Sequence, residues 1–311
     1  MITQNLKRLT TNDGEQIAIW KVTATTDERC ALQAQNILLT HGTFSDKKVC
    51  LGIGEYLAKL GHTCYIMEWR GHGASPKPKD KFNFETIATY DIEATFRYLF
   101  ADLKLDNVHC VTHSGGGICL TMFLIQQLVL QNKEYSHQIN SISLFACQAY
   151  GAALQPTSYS KILATKSLTR LFGYLPAKRL KLGIVNENYH TMKQWYDWNL
   201  QQNFYSHAIK NPDTPSRDTK NSDYLDYRQQ MPKITIPIYA ISAKGDRFIA
   251  PTVGCQRFLR DFHHQANVFR EFARAHHDLE DYNHSRIIMS RSAAKEVWST
   301  VAAWIEQHTT V

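Results

Sequence analysis

The sequence predicts an α/β fold in which a mostly parallel central sheet is flanked by helices. Short apolar runs rich in β-branched residues alternate with stretches of helical spacing from residue 37 to residue 147, and the alternation resumes at residue 236. This alternation is typical of βαβ units and of parallel sheets. Apolar residues make up 43% of the 311-residue chain and charged residues 20%, as in globular proteins. A single large α/β domain that carries an insertion accounts for this length.

Local patterns define the individual elements. The pair Asp13-Gly14 separates two β-type runs and predicts a hairpin at the start of the chain. Further strands are predicted at residues 37–40, 63–69, 108–111, 139–147, 236–242 and 268–272. Helices are predicted at residues 52–60, 84–103, 116–130, 252–262 and 293–307.

The alternation stops between residues 151 and 230. This stretch has helical character, is rich in aromatic residues and contains no evident strand pattern. We interpret it as a helical cap inserted into a core that is formed by residues 1–150 and 231–311.

The chain carries a formal net charge of +7, and six cations are concentrated in the predicted cap. These residues, with no acidic residue between 161 and 181, are Lys161, Lys166, Arg170, Lys178, Arg179 and Lys181. They fit a solvated helix face, or a surface that attracts an anionic substrate group or a membrane. The cations form no stripe interleaved with aromatic residues, so nucleic acid is not an expected partner.

Cysteine usage and apolar runs indicate the compartment. The seven cysteines are odd in number and lack compact spacing, which argues against a disulfide framework. Cys64, Cys110, Cys119 and Cys147 lie in apolar segments and are predicted to be core residues. The first residues lack an apolar signal core, and the longest apolar stretch, 118–130, is too short to span a bilayer. We therefore expect a cytoplasmic protein without a transmembrane segment.

The strongest chemical signal is Val108-His-Cys-Val-Thr-His-Ser-Gly-Gly-Gly117. A buried strand leads into Ser114, and a helix follows the glycines, which is the setting of a nucleophile elbow. Thr112 stands where a glycine is usual in this turn, which raises the question of how its bulk is accommodated. The alternative is an ordinary glycine-rich turn between a strand and a helix. A phosphate-binding loop is a further option, but no lysine follows the glycines as in that motif.

Two further strand ends supply candidate partners. Leu39-Thr-His-Gly-Thr43 ends an earlier strand, and the backbone N–H groups of Thr43 and Gly115 are the predicted oxyanion donors. Ser242-Ala-Lys-Gly-Asp246 closes a later strand, and the Asp246 carboxylate can orient a histidine.

The base is expected downstream of the acid in the chain. Three histidines lie between residues 275 and 290, after the last predicted strand: His276, His277 and His284. A metal site made of His276, His277, Asp278 and His284 is an alternative, although it lacks the helical histidine pair and the cysteine ligands typical of zinc sites.

Together these motifs resemble the α/β-hydrolase superfamily over nearly the whole chain, in particular its capped serine esterases and lipases. Arg70-Gly-His-Gly-Ala-Ser75 resembles a loop common in esterases of this fold. Leu171-Phe-Gly-Tyr-Leu-Pro176 and Trp195-Tyr-Asp-Trp198 resemble segments of capped hydrolases.

The resemblance also bears on the choice of base. Tyr282-Asn283-His284 with Ala293 is similar to the stretch that opens the last helix of acid-lipase-like members. His276-His-Asp278 matches the His-x-Asp of other members. The resemblance implies His284 as the base, with His276 as the alternative.

These residues predict a serine hydrolase that cleaves a carboxylic ester or thioester through an acyl-enzyme. Ser114, His284 and Asp246 would form its catalytic triad, and the chemistry requires no metal or organic cofactor. The expected partner is a small-molecule acyl ester whose apolar acyl chain lies among cap aromatics: Trp195, Tyr196, Trp198, Phe204 and Tyr205. An acyltransferase that uses the same triad and a catalytically silent binding protein on the same fold are the alternatives.

Overall fold

The computed structural model of the chain describes residues 1–25, 34–131, 133, 135, 137–211 and 223–309. Its central feature is an eight-stranded sheet in the order β1-β2-β4-β3-β5-β6-β11-β12. The strands of this sheet are β1 (Ile2–Thr10), β2 (Gln16–Ala24), β3 (Asn36–Thr40), β4 (Thr63–Glu68), β5 (Val108–His113), β6 (Ile139–Phe145), β11 (Ile238–Ala243) and β12 (Val268–Phe272).

The sheet is mostly parallel, as the sequence predicts. β2 pairs antiparallel with both β1 and β4, whereas β4, β3, β5, β6, β11 and β12 pair in parallel with their neighbours. The carboxyl ends of β3, β5 and β11 therefore meet at one edge of the sheet. These strand ends carry the three predicted active-site motifs, so the topology brings the motifs together.

Helices cover both faces of the sheet. Those outside residues 151–230 are α1 (Lys48–Lys59), α2 (residues 84–102), α3 (Gly115–Gln131), α7 (Thr252–Arg260), α8 (Arg286–Met289) and α9 (Arg291–Gln307). In α2, α-helical turns at Phe84–Thr86 and Glu93–Arg97 alternate with wider π-helical turns at Ile87–Ile92 and Tyr98–Asp102. Asn83 and Thr86 form a capping box that fixes where α2 begins.

Two apolar clusters, one on each face of the sheet, form the core. In β3, Leu38 belongs to one cluster, whereas Ile37 and Leu39 belong to the other. Adjacent Tyr65 and Ile66 of β4 divide in the same way. This alternation follows from the two-residue period of a strand, and it explains why the successive residues 37–39 of β3 are all apolar.

The buried cysteines agree with the sequence prediction. Cys64, Cys110, Cys119 and Cys147 lie in the two clusters, and burial raises the pKa of each thiol. Their sulfurs therefore pack as small apolar groups. Among the described helices, none combines the length and the hydropathy that a bilayer-spanning segment requires.

Residues 151–230, hereafter the insertion, connect the neighbouring parallel strands β6 and β11. The described part contains α4 (Pro156–Phe172), β7 (Tyr174–Leu175), β8 (Glu187–Asn188), α5 (Tyr189–Gln201), β9 (Tyr205–Lys210), β10 (Tyr224–Asp226) and α6 (Tyr227–Gln230). The expectation that the insertion lacks strands is wrong, because β7 pairs with β8 and β9 pairs with β10. β7, β8 and β10 have only two or three residues each, which is too short to produce an alternating pattern in the sequence, and the six-residue β9 alone is longer among these four strands.

Candidate active site

A tight turn joins β5 to α3 at Ser114. β5 ends at His113, α3 begins at Gly115, and Ser114 between them has a φ of +53°. A non-glycine residue is rare in this left-handed region, so surrounding contacts must hold it there. The Ser114 N–H donates to the Phe145 carbonyl of β6 at 2.8 Å, and the Gly117 N–H donates to the Ser114 carbonyl at 3.0 Å. The turn thus has the strained strand-to-helix geometry of a nucleophile elbow.

Close packing explains why small residues follow the serine. A Cβ added at Gly115 would lie 2.8 Å from the rings of both Phe84 and Trp69. A Cβ added at Gly116 would lie 2.6 Å from the His41 carbonyl oxygen. Gly115 therefore has no room for a side chain beside the two aromatic rings, and Gly116 has none because α3 begins directly against the end of β3.

Thr112 is accommodated by the third glycine of the motif. Thr112 is buried in β5 and pairs with Thr40 of β3 and Leu144 of β6. A Cβ at Gly117 would lie 2.9 Å from the Thr112 hydroxyl oxygen. The space that the elbow normally gains from a glycine before the serine is here supplied by Gly117, on the helix side.

The loop after β3 lies directly against the elbow. A Cβ at Gly42 would lie 2.7 Å from Ser114 Cβ and 2.8 Å from the Gly115 nitrogen. Thr43, the next residue, lines the same pocket as Ser114 and Gly115. The two predicted oxyanion donors, Thr43 and Gly115, therefore border one cavity at the serine.

His41 fixes the shape of this loop. Its Nε2 accepts from the Trp69 N–H at 3.2 Å, so its Nδ1 carries the proton and donates to the Gly42 carbonyl at 2.7 Å. Burial lowers the pKa of His41 well below its usual value, which keeps the ring neutral as this pattern requires. The motif Leu39-Thr-His-Gly-Thr43 did not by itself predict this role of His41.

Asp246 and His284 form a hydrogen-bonded pair. Asp246 Oδ2 lies 2.5 Å from His284 Nδ1. The Asp246 carboxylate also accepts the backbone N–H groups of Ile249 and Ala250, each at 3.1 Å. Burial raises the pKa of Asp246, but the attraction of His284 and these hydrogen bonds outweigh it and hold the pKa below its usual value. The carboxylate is therefore ionised at neutral pH and can hold the imidazole with Nδ1 protonated.

Backbone contacts place the loop of His284 against the strand end of Asp246. The Gly245 N–H donates to the Tyr282 carbonyl at 2.8 Å, and a Cβ at Gly245 would lie 2.7 Å from that oxygen. The buried Tyr282 ring anchors the loop, and its hydroxyl donates to Glu296 of α9 at 2.5 Å.

His113, the residue before the serine, holds His284 from the other side. Its Nε2–H donates to the His284 carbonyl at 2.9 Å, and the two rings lie 4.8 Å apart. Burial, with the nearby His284, lowers the pKa of His113 to about 3, so this ring is neutral. His113 therefore links Ser114 to the histidine loop, a role that the sequence analysis did not assign.

His276 lies outside this arrangement. It is exposed in a short 3₁₀ turn, and its Nδ1 faces the Glu271 carbonyl at 3.2 Å. Asp278, the acid of the His-x-Asp match, instead pairs with Arg270 at 2.8 Å and accepts the Ala273 N–H.

His276, Asp278 and His284 of the alternative metal site thus each have a different partner. His277 has a left-handed backbone conformation, with a φ of +66°. Over the described residues no cluster of three or more His, Cys, Asp or Glu side chains is placed to hold a metal ion.

Two adjoining pockets open at the elbow and share Thr43, Phe44 and Leu182. The pocket next to the serine is almost entirely apolar, with an empty volume of about 490 Å³ including its open mouth. Its other lining residues are Phe84, Ser114, Gly115, Ile118, Thr165, Leu175, Met192, Trp195, Tyr196, Phe248 and Ile249. The second pocket is more polar and is also lined by Ser45, Lys48, Val49, His113, Gly183, Ile184, His284, Ser285 and Met289.

The predicted aromatic lining divides into two groups. Trp195 and Tyr196 line the apolar pocket. Trp198 and Phe204 are fully buried and pack edge-to-face on each other at 5.0 Å, and they belong to the apolar core, where Trp198 also packs on Phe84 and Phe204 on Phe258. Tyr205 belongs to β9 and does not line either pocket.

A buried ion pair joins the insertion to the Arg70–Ser75 loop. His72 Nε2 lies 3.2 Å from the Glu187 carboxylate of β8, and both side chains are almost fully buried. Burial by itself lowers the pKa of His72, but the Glu187 carboxylate outweighs it and the pKa is raised. No sequence pattern links these residues, which lie 115 positions apart.

We expect this pair to stabilise the protein in a pH-dependent way. Because the folded-state pKa of His72 is raised, its contribution is complete below the unfolded pKa and is lost as the pH rises through the folded value. Glu187→Gln removes a buried charge-assisted bond of about 1.5–3 kcal/mol and should lower the melting temperature by several degrees at about pH 6. The difference from the unmodified protein should shrink at about pH 9, because the contribution of the pair is lost as the pH rises through the raised pKa of His72.

Thermal melts at the two pH values check this expectation. The double variant His72→Gln/Glu187→Gln is the matched control, because it retains side chains of similar size without the titrating group. An equal loss of melting temperature at both pH values for Glu187→Gln would show that the pair is not charged in the folded protein.

The fold and this arrangement at the strand ends define the class of the protein. Residues 35–281, more than three quarters of the chain, match the family model described as alpha/beta hydrolase fold. The protein therefore belongs to the α/β-hydrolase family. The matched region includes Ser114 and Asp246 and ends before His284. A comparison with curated proteins finds no significant match.

Solved structures share the fold at low sequence identity. An esterase from Exiguobacterium antarcticum superimposes with a TM-score of 0.61 at 15% identity, covering 96% of this chain and 99% of that one. A thermophilic esterase from Thermogutta terrifontis gives 0.60 at 14% identity, covering 98% and 100%. The alpha/beta hydrolase domain-containing protein 10 from mouse gives 0.60 at 13% identity, covering 97% and 99%. At this level of identity the likeness concerns the fold alone.

Proposed function

We propose that the protein is a serine hydrolase that cleaves carboxylic esters or thioesters through an acyl-enzyme. The observation that carries this proposal is the hydrogen bond between Asp246 and His284, in a loop that His113 holds beside the Ser114 turn. A strained serine, an oriented histidine and an ionised carboxylate from three separate strand ends make up the apparatus of nucleophilic acyl transfer.

In this mechanism Ser114 Oγ attacks the acyl carbon, and its proton passes to His284 Nε2. That nitrogen is free to accept the proton because Nδ1–H donates to Asp246. The carbonyl oxygen becomes an oxyanion held by the N–H groups of Gly115 and Thr43. Collapse of this intermediate expels the alcohol or thiol, which takes the proton from His284. Water then attacks the acyl-enzyme with His284 as the base, and the acid leaves with Ser114 restored.

In this proposal each of the two pockets binds one part of the substrate. His284 gives its proton to the leaving group, so the leaving alcohol or thiol occupies the second pocket, which His284 lines. The acyl chain then occupies the apolar pocket beside Ser114 and Gly115. Aliphatic and aromatic side chains on all sides favour a hydrocarbon acyl group over a charged one.

Residues 151–230 act as the cap in this proposal, over a core of residues 1–150 and 231–311. Leu175 and Leu182 come from the insertion and meet Phe44 and Ile118 of the core around the apolar pocket. The insertion therefore sets the size of the acyl site and limits the access of water to it.

A fluorophosphonate probe and a series of p-nitrophenyl esters test the proposal. The native protein should be labelled once per chain, and the heat-unfolded protein should not be labelled. Among acetate, butyrate, octanoate and palmitate esters, kcat/KM should rise from the acetate by about tenfold or more as apolar contact increases, since each buried CH₂ contributes about 0.8 kcal/mol. A protein that neither reacts with the probe nor hydrolyses any ester in the series would be a binding protein on this fold.

A further inference from the structure

Helix α4 exposes an unusual number of large apolar side chains. Only Ile162 and Thr169 of its 17 residues are buried. Leu168 is 55% exposed and Leu171 is 77% exposed. A solvent-facing helix surface is normally polar, so this face is arranged for contact with something apolar.

The exposed apolar surface continues beyond α4 to residue 184. Of the 17 large apolar residues that are exposed in the described chain, eight lie in this short stretch. We call them, together with the cations among them, the basic apolar patch. The apolar members are Tyr159, Leu163, Leu168, Leu171, Phe172, Tyr174, Leu180 and Ile184.

The charge of the same stretch is entirely positive. No Asp or Glu occurs from residue 155 to residue 186. Of the six cations, Lys166 pairs with Asp197 of α5 at 2.5 Å. Among the described residues the others form no ion pair, and each is exposed: Lys161, Arg170, Lys178, Arg179 and Lys181.

The combination of exposed apolar side chains and exposed cations distinguishes between possible binding partners of the patch. A second copy docked on the patch through a two-fold axis would bring the same cations face to face without acids to neutralise them. An anionic bilayer neutralises the cations at its headgroups and accepts leucine and phenylalanine side chains at the boundary with its acyl chains. We propose that the basic apolar patch docks the protein onto membranes that contain anionic lipids.

The basic apolar patch adjoins those residues of the insertion that line the apolar pocket. Thr165 of α4 and Leu175 of β7 line that pocket, whereas Leu168, Leu171 and Phe172 of the patch do not. Leu168, Leu171 and Phe172 line neither pocket and can be altered without changing them, whereas Ile184 of the patch lines the second pocket and is left unchanged. The membrane contact itself does not depend on the proposed hydrolase activity.

Flotation with lipid vesicles tests the proposal on the full chain. The protein should float with vesicles of phosphatidylcholine that contain about one third phosphatidylglycerol, and should not float with phosphatidylcholine alone. Lys178→Glu/Arg179→Glu/Lys181→Glu should weaken partitioning by at least about 100-fold, since each cation near an anionic surface contributes about 1 kcal/mol. Leu168→Ser/Leu171→Ser/Phe172→Ser should weaken it by at least about tenfold, because the apolar contact is lost.

A matched control lies at the far end of α1. Lys59→Glu/Leu60→Ser alters one exposed cation and one exposed apolar residue outside the patch and should leave vesicle binding unchanged. A salt titration requires no variant. Raising the salt concentration from about 50 mM to 500 mM should release much of the unmodified protein from the anionic vesicles, because the Debye length falls.

Three outcomes would overturn the proposal. The first is a lack of flotation with the anionic vesicles. The second is equal binding by the patch variants and the α1 control. The third is a dimer of the unmodified protein, seen by analytical ultracentrifugation, that the Leu168, Leu171 and Phe172 substitutions dissociate. The patch would then be a dimer interface and not a surface that docks on membranes.

Discussion

Ser114→Ala should abolish the hydrolysis of p-nitrophenyl esters and leave the fold intact. Loss of the nucleophile in a triad enzyme lowers turnover on the order of 10⁶-fold, because the acyl-enzyme can no longer form. Stability should change little, since the Ser114 hydroxyl forms no hydrogen bond with any described residue and its backbone contacts with Phe145 and Gly117 are retained. Steady-state rates and thermal melts of the purified variant measure both effects.

Ser285→Ala is the matched control for this prediction. Ser285 is the residue after His284 and lines the second pocket, and its side chain does not cap the helix that follows it. We expect this variant to keep its activity to within a few-fold and to be labelled by the fluorophosphonate. If purified Ser114→Ala kept more than about a tenth of the normal rate, another group would be the nucleophile.

The sequence predicted the sheet because its strands are buried on both faces. β5 is buried at every position and β3 at every position after Asn36, and their short apolar runs, 37–39 and 110–111, stand out between helices of regular spacing. The order of the chain then placed Thr43, Ser114 and Asp246 at strand ends, and parallel pairing brings those ends to one edge. The fold and the edge that carries the site were therefore accessible from local patterns.

Other features depend on contacts between distant segments, which local patterns do not encode. In α5, Trp195 lines the pocket and Trp198 packs in the core, although both lie in one aromatic run. Which ring faces the pocket depends on how α5 lies against α4 and β7. The pairing of His72 with Glu187 depends in the same way on where the insertion meets the core.

Whether His276 or His284 is placed to act as the base also depends on contacts between distant segments. The chain from β12 is long enough to bring either residue to Asp246, so spacing alone leaves both possible. The turn of Gly245 against Tyr282 carries the chain past His276 and presents His284 to the carboxylate. His276 stays exposed beside Glu271.

His284→Ala should therefore lower turnover about as severely as Ser114→Ala, whereas His276→Ala should cost less than about tenfold. The base and the nucleophile act as one unit, so the double variant Ser114→Ala/His284→Ala should be no less active than either single variant. Rates with one p-nitrophenyl ester at saturating concentration, measured for these four variants and for the unmodified protein, provide the comparison.

His284→Gln separates the loss of the base from the loss of structure. His284→Ala leaves the buried Asp246 carboxylate without its partner, which destabilises the site as well as removing the base. The glutamine side chain can still donate a hydrogen bond toward Asp246 but cannot accept a proton at neutral pH. We expect His284→Gln to melt closer to the unmodified protein than His284→Ala does, and to be equally inactive. An inactive His276→Ala together with an active His284→Gln would assign the base to His276 and would require the loop after β12 to rearrange before catalysis.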